Sequence, residues 1–166
     1  MKKSLSKKWM VLLGFGLMLG MGTSALADQA VLVKEFPTGF FVPDESETYN
    51  SPYYRWFDED WNWQHDAYSG TFSSASLFIS AWDVDADASY DPEVDLISVF
   101  DSSAGWITLG SLAGNNNAYG YTTFELSDMF FDLILTNLQV KIDIDFIHNY
   151  DKWAVILAKA VVTVDG

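Results

Sequence analysis

The sequence predicts an all-β protein: an antiparallel β-sandwich of jelly-roll type with one short helical turn near residues 127–136. Two observations predict this fold. Short runs of β-branched and aromatic residues follow one another along the chain, and residues that favour turns separate them. In chain order, the predicted strands are residues 76–82, 94–100, 106–112, 121–126, 138–147 and 153–164.

The segments between these strands have the composition of loops. They read DSSAG at 101–105, GNNNAYG at 114–120 and HNYD at 148–151, and these residue types tolerate turn geometry. The helical candidate is SDMFFDLILTN at 127–137, which Ser127 is placed to begin and Asn137 to end. No linker or repeat interrupts residues 28–166, so they are predicted to form a single β-sandwich domain.

Residues 1–27 are predicted to be a secretory signal peptide that is cleaved before Asp28. Four lysines occur in the first eight residues, an apolar stretch follows at 9–21, and Ala25–Ala27 reads ALA. A basic start, a short apolar segment and an A-x-A site are the three parts of such a signal. We therefore expect a secreted or periplasmic protein that has no membrane association after cleavage.

The charge of the chain excludes one class of partner. The formal net charge is −14, from 23 acidic and nine basic residues, and four of the basic residues lie in the predicted signal peptide. Nucleic-acid binding requires clustered Lys and Arg, so no nucleic-acid partner is expected. The chain has no cysteine, so the exported fold must be held by its core and, in our interpretation, by bound cations.

The segment AWDVDADASYDPEVDL at 81–96 is unusually acidic. Side chains alternate between the two faces of a strand, which places Asp83 on the face of Leu77 and Ile79, and Asp95 on the face of Ile97 and Val99. If the two strands pair as a hairpin, both aspartates point toward the core at the same end of the sandwich. Inward carboxylates this close must be neutralised, repel each other or bind a cation.

Calcium is the cation that these oxygen ligands favour. The predicted metal ligands are Asp83, Asp85, Glu93 and Asp95, completed by Asn115–Asn117 or by a backbone carbonyl. The segment is not an EF-hand, because Ala88 and Val94 occupy the positions that need glycine and a bidentate glutamate. The alternative is a solvated, mutually repelling loop; for Asp85, Asp87 and Asp91 the two interpretations remain equally open.

A second unusual stretch, residues 49–68, is rich in tyrosine and tryptophan. Exposed aromatic rings beside carboxylates stack on sugars, which makes Tyr54, Trp56, Trp61 and Trp63 candidate ligand-binding residues for a carbohydrate. The alternative is that most of these rings pack the sandwich, because such cores depend on buried aromatic residues.

The sequence does not predict an enzyme. It contains two histidines, His65 and His148, and no cysteine, and none of its serines lies in a nucleophile-elbow motif. Asp143 and Asp145 lie in IDID at 142–145, where alternation is typical of the exposed face of an ordinary half-buried strand.

Several segments together resemble the secreted bacterial β-sandwich domains that precede PEP-CTERM sorting signals. They are WQHD at 63–66, SGTFSSASLFISAWDVDAD at 69–87, PEVDLISVF at 92–100, LGSLAGNNNAYGYTTFELS at 109–127, LQVKIDID at 138–145 and WAVILAKAVVTVD at 153–165. The resemblance implies export and a sandwich fold. The chain differs from that family at Gly166, where it ends without a sorting signal, so we expect a released or periplasmic protein.

These observations predict an exported, non-enzymatic β-sandwich that is stabilised by calcium and acts as an extracellular or surface interaction module. Its expected partners are a polysaccharide or a component of the extracellular matrix. The alternative prediction is a carbohydrate-binding module that uses residues 49–68.

Overall fold

The computed structural model describes residues 29–35, 39–89, 91–148 and 153–166. The predicted signal peptide lies outside the described residues. The strands are β1 (Gln29–Glu35), β2 (Arg55–Trp56), β3 (Trp61–Gln64), β4 (Ser74–Trp82), β5 (Leu96–Asp101), β6 (Gly105–Ser111), β7 (Tyr119–Leu126), β8 (Gln139–Asp143) and β9 (Ala154–Asp165). The helix α1 spans Phe131–Thr136, and short 3₁₀ turns occur at Glu45–Glu47 and Asp128–Phe130.

The described strands form two antiparallel sheets. The first sheet has the order β1-β9-β4-β7, with the short β2 also paired to β9, and the second has the order β3-β8-β5-β6. The predicted all-β class is therefore confirmed.

One hydrophobic core joins the two sheets in a sandwich-like arrangement. Leu77 and Ile79 of the first sheet and Ile97 and Val140 of the second are fully buried in the same cluster. The alternation of side chains between the two faces of a strand explains which residues are buried, because β4 and β8 bury every second residue along most of their length. Each such aliphatic side chain contributes roughly 1.5–3 kcal/mol by leaving water.

The predicted helical turn is confirmed. A 3₁₀ turn at Asp128–Phe130 leads directly into α1, and Asn137 is the C-cap residue. Ser127 occupies the N-cap position of the 3₁₀ turn, but its side chain makes no capping hydrogen bond. The helix is anchored by Ile134, which is buried in the core.

The predicted strands agree with the structure except at some boundaries. The largest difference is the strand predicted at 138–147, which ends at Asp143 because the chain turns at residues 144–147. Three strands, β1, β2 and β3, were not predicted. No helix within the described residues combines the length and the apolar character needed to cross a membrane.

Strand direction brings several loops to one end of the sandwich. Trp82, the last residue of β4, pairs with Tyr119 at the start of β7 and with Ile156 near the start of β9. In the second sheet, Leu96 at the start of β5 pairs with Asp143 at the end of β8. The acidic loop after β4 and the turn after β8 therefore meet at the same end.

Candidate functional site

The four predicted metal ligands are all buried at this end of the sandwich. Asp83 directly follows β4 and Asp95 directly precedes β5, while Asp85 and Glu93 lie in the loop between them. Their exposed fractions are 8% for Asp83, 9% for Asp85, 2% for Glu93 and 0% for Asp95. The inward direction predicted for Asp83 and Asp95 agrees with this burial. Asp85 is likewise not part of a solvated loop.

Hydrogen bonds fix the loop so that its carboxylates point inward. Asp83 has a left-handed φ of 65°, which aspartate tolerates better than most residues. Its Oδ1 accepts a bond of 2.7 Å from the backbone N–H of Asn117. The two ends of the loop are joined where the Asp85 N–H donates to Glu93 Oε2 at 2.8 Å and the Glu93 N–H donates to the Asp85 carbonyl at 3.2 Å.

A fifth acidic residue, Asp145, belongs to the same site. It is fully buried, and its backbone N–H donates to Asp95 Oδ1 at 3.0 Å. We call Asp83, Asp85, Glu93, Asp95 and Asp145 the acidic cluster. The interpretation of Asp145 as an exposed strand residue was wrong, because the strand ends at Asp143 and the chain turns through a φ of 47° at Asp145.

The outer acidic residues behave differently. Asp87 is exposed. Asp91 contacts His148, whose Nε2 lies 2.5 Å from Asp91 Oδ1 and whose Nδ1 contacts Asp145 Oδ1. His148 therefore ties the acidic loop to the turn that carries Asp145.

The predicted asparagine segment borders the cluster through Asn117. Besides its backbone bond to Asp83, Asn117 accepts a hydrogen bond of 2.5 Å from the hydroxyl of Tyr49 at its side-chain oxygen. The close approach of this loop depends on Gly120, where an added Cβ would lie 2.2 Å from the carbonyl oxygen of Ala113.

Burial raises the pKa values of several carboxyl groups in the acidic cluster. Burial, followed by the charge of Asp95, raises the pKa of Glu93 to about 10, and burial raises the pKa of Asp95 to about 7. Burial also raises the pKa of Asp85, with a further contribution from Asp83. In the absence of a cation, the Glu93–Asp95 pair therefore holds a proton at neutral pH.

Three carboxylate oxygens of the cluster remain unsatisfied. Glu93 Oε1, Asp95 Oδ2 and Asp145 Oδ2 are buried without a conventional donor, although the Glu93 and Asp95 carboxyls are close enough to share a proton. A buried acceptor without a donor costs roughly 1–3 kcal/mol, and more when it is charged. Either protons or a cation can relieve this cost.

The donor set fits a hard cation, but the carboxylates do not already surround one. In the described part of the chain, no three Asp, Glu or His side chains are arranged as a group that could hold a metal ion. Metal binding at the cluster would therefore require carboxylate side chains to turn toward a common centre. Asp83, Asp85, Glu93 and Asp95 are the residues that would hold it, and Asp145 is adjacent.

The aromatic stretch divides into a buried part and a surface part. Trp61 and Trp63 are only 8% and 5% exposed, and their rings lie 4.9 Å and 5.5 Å from the ring of Phe41 in edge-on contacts. They are core residues on one face of β3, where a sugar could not stack on them. The alternative interpretation, that these rings pack in the core, is therefore correct for Trp61 and Trp63.

Tyr54 and Trp56 lie nearer the surface and contact each other, with ring centroids 5.3 Å apart. Trp56 is 39% exposed. Burial and the negative charge of Asp83 raise the pKa of Tyr54, which shows that this tyrosine adjoins the acidic cluster. Tyr49, through Asn117, and Tyr54 therefore lie beside the acidic loop, although they are distant from it in sequence.

Comparison with known proteins finds no family model that matches this chain and no curated protein that is significantly similar to it. The resemblance to domains that precede PEP-CTERM signals stays a prediction. The chemistry of the acidic cluster and its surroundings is therefore the evidence for function.

Proposed function

We propose that this protein is an exported, non-enzymatic β-sandwich that binds calcium at the acidic cluster and acts as an extracellular interaction or structural module. Its partner would be a polysaccharide or another component of the extracellular matrix. The observation that carries the proposal is the burial of Glu93 and Asp95 with unsatisfied oxygens in a chain of net charge −14.

The strand order supports the finer jelly-roll assignment. With the two-residue β2 set aside, the first sheet contains the first, eighth, third and sixth long strands, and the second sheet contains the second, seventh, fourth and fifth. Two nested Greek keys, as in a jelly roll, would produce this interleaving of early and late strands. It places the loops β4–β5, β6–β7 and β8–β9 at one end, where the acidic cluster lies.

Calcium is supported by the type of ligand and by the predicted compartment. The available ligands are carboxylate oxygens with backbone carbonyls nearby, and calcium accepts six to eight such ligands in flexible geometry. Export would expose the site to extracellular calcium, at which even weak sites of 10⁻⁴–10⁻³ M are filled. A bound cation would replace the proton held by Glu93 and Asp95.

Both histidines make contacts within the fold. His65 is fully buried and accepts a hydrogen bond of 3.1 Å from the indole N–H of Trp63. His148 is held by carboxylates at both ring nitrogens. Each histidine therefore has a structural contact that explains its position.

Thermal unfolding tests the calcium proposal. We expect millimolar calcium to raise the melting temperature by several degrees relative to EDTA, and magnesium to do so less, because a ligand that binds only the native state stabilises it by mass action. The double variant Asp83→Asn, Asp95→Asn should lose the calcium effect. Asp128→Asn, an exposed control at the opposite end of the first sheet, should retain it.

An unchanged melting temperature in calcium and EDTA would overturn the proposal. A shift that persists in the double variant would move the site elsewhere in the chain.

A carbohydrate-binding function is the second candidate, favoured by the partly exposed Tyr54 and Trp56 beside the carboxylates. A glycan array followed by Trp56→Ala tests it, because a stacking contact contributes to affinity only where the ring is accessible. Trp61→Ala should lower stability, since that ring is buried. An array without hits, or hits that survive Trp56→Ala, would remove this assignment.

A further inference from the structure

A pocket separate from the four predicted metal ligands opens between the turn after β2 and the turn after β8. Its volume is about 360 Å³, and its lining consists of Phe57, Asp58, Asp143, Ile144, Asp145, Phe146 and His148. This volume is within the range of small-ligand sites in proteins.

Backbone contacts hold the two walls of the pocket in place. The N–H of Phe57 donates to the carbonyl of Trp153 at 3.1 Å, and the N–H of Ile144 donates to Asp60 Oδ1 at 2.8 Å. The N–H of Phe146 donates to the carbonyl of Val94 at 2.8 Å. These bonds make both walls part of the folded framework.

The polar lining is predominantly acidic. Asp58 is exposed, Asp143 is partly offset by Lys141 at 3.3 Å, and Asp145 contacts His148 through Oδ1. Asp145 is fully buried, and its Oδ2 has no hydrogen-bond partner. A buried, unpartnered carboxylate oxygen in the lining gives a cationic ligand a specific acceptor.

The apolar lining favours an organic cation over a bare ion. Phe57 and Phe146 belong to the pocket, and Phe146 is 58% exposed and followed by Ile147 at 51%. Exposed aromatic rings attract cations through their faces and cover alkyl chains through apolar contact. A small inorganic ion would make no use of these side chains.

We propose that this pocket binds an organic cation with an apolar stem, namely the ammonium or guanidinium group of a lysine or arginine side chain. The charged head is attracted by Asp58, Asp143 and Asp145, and the stem lies against Phe57 and Phe146. The strongly acidic chain attracts such ligands over longer distances. The source is either free lysine or arginine or a basic residue of a partner polypeptide.

The test compares N-acetyl-arginine amide with N-acetyl-citrulline amide, a neutral analogue of nearly the same shape. Titration of the purified protein in EDTA, followed by ¹H–¹⁵N NMR, should give shifts at Phe57, Asp58 and Ile144 with the arginine probe. We expect the citrulline probe to bind at least about tenfold more weakly, because it lacks the charge-assisted bonds.

Two variants locate the binding. Asp58→Asn should weaken the arginine probe about fivefold without lowering the melting temperature, because Asp58 is exposed. The matched control Asp128→Asn, at the other end of the sheet, should bind as the wild type does. Phe146→Ala should weaken both probes, since it removes the surface on which the stem lies.

A Gly-Gly-Arg-Gly-Gly peptide separates the two sources. Clearly tighter binding of the peptide indicates a polypeptide partner, while equal binding indicates a free cation, and both results support the pocket's chemistry. Equal affinity for the arginine and citrulline probes would overturn the proposal, as would equal effects of Asp58→Asn and Asp128→Asn. EDTA keeps the result independent of calcium binding at the acidic cluster.

Discussion

Replacing Glu93 with glutamine removes one ionisable group from the acidic cluster while keeping the shape of the side chain. The glutamine oxygen can still accept the N–H of Asp85, which Glu93 Oε2 accepts at 2.8 Å. Its amide can donate to Asp95, whose negative charge contributes to the raised pKa of Glu93. The variant therefore imitates the protonated form of Glu93 at every pH.

The expected size of the effect follows from the pKa of Glu93, which burial raises from 4.5 to about 10. Because the folded state binds this proton more tightly than the unfolded state, its contribution to stability is complete below pH 4.5. It decreases as the pH rises toward 10, by about 1.4 kcal/mol for each pH unit. Between pH 5 and pH 8, the wild type in EDTA should therefore lose roughly 4 kcal/mol through this group. The raised pKa of Asp95 acts in the same direction up to about pH 7.

Urea unfolding at pH 5, 6, 7 and 8 in EDTA measures this dependence. We expect Glu93→Gln to equal the wild type near pH 5 and to exceed it by roughly 4 kcal/mol at pH 8, which corresponds to about 12 °C in melting temperature. The control is Glu125→Gln on the exposed face of β7, which should follow the wild type. Parallel pH curves for Glu93→Gln and the wild type would refute the reasoning, as would a loss of several kcal/mol in the variant at pH 5.

Three further predictions concern the fold around the site. Leu77→Ala opens a cavity in the core between the two sheets, where Leu77 is fully buried. It should lower the free energy of unfolding in urea by about 2–5 kcal/mol; a decrease below 1 kcal/mol would contradict the central position of Leu77. Gly120→Ala should destabilise the protein by more than about 1 kcal/mol, because the new Cβ would meet the Ala113 carbonyl at 2.2 Å; an unchanged melting temperature would show that the loop yields freely. Asp60→Ala removes the acceptor of the Ile144 N–H and should cost about 1–2 kcal/mol, with faster amide exchange at Ile144; unchanged exchange there would show that the turn does not depend on this bond.

The sequence was informative where a local pattern decides the structure. Alternation in β4 and β5 correctly predicted that Asp83 and Asp95 lie inward, because Leu77 and Ile79 on one strand and Ile97 and Val99 on the other fix which face is buried. The helical turn after β7 was likewise visible in its residues.

Other features depend on contacts that no local pattern contains. Asp145 was missed because IDID continues a strand pattern, whereas the chain turns after Asp143 and the Asp145 N–H reaches Asp95, fifty residues away. Trp61 and Trp63 were difficult to assign because β3 pairs with β8, nearly eighty residues later in the chain. Their i, i+2 spacing in WNWQ was the available signal, and it is typical of a strand that buries one face.

Calcium binding to the acidic cluster is tested most directly by isothermal titration calorimetry of chelator-treated protein at pH 7, in two buffers with different ionisation enthalpies. We predict one calcium ion per chain, with protons released because the Glu93–Asp95 pair must ionise to bind the cation. Glu93→Gln should lose most of both the affinity and the proton release. Absence of binding at millimolar calcium, or binding that Glu93→Gln leaves unchanged, would contradict the account.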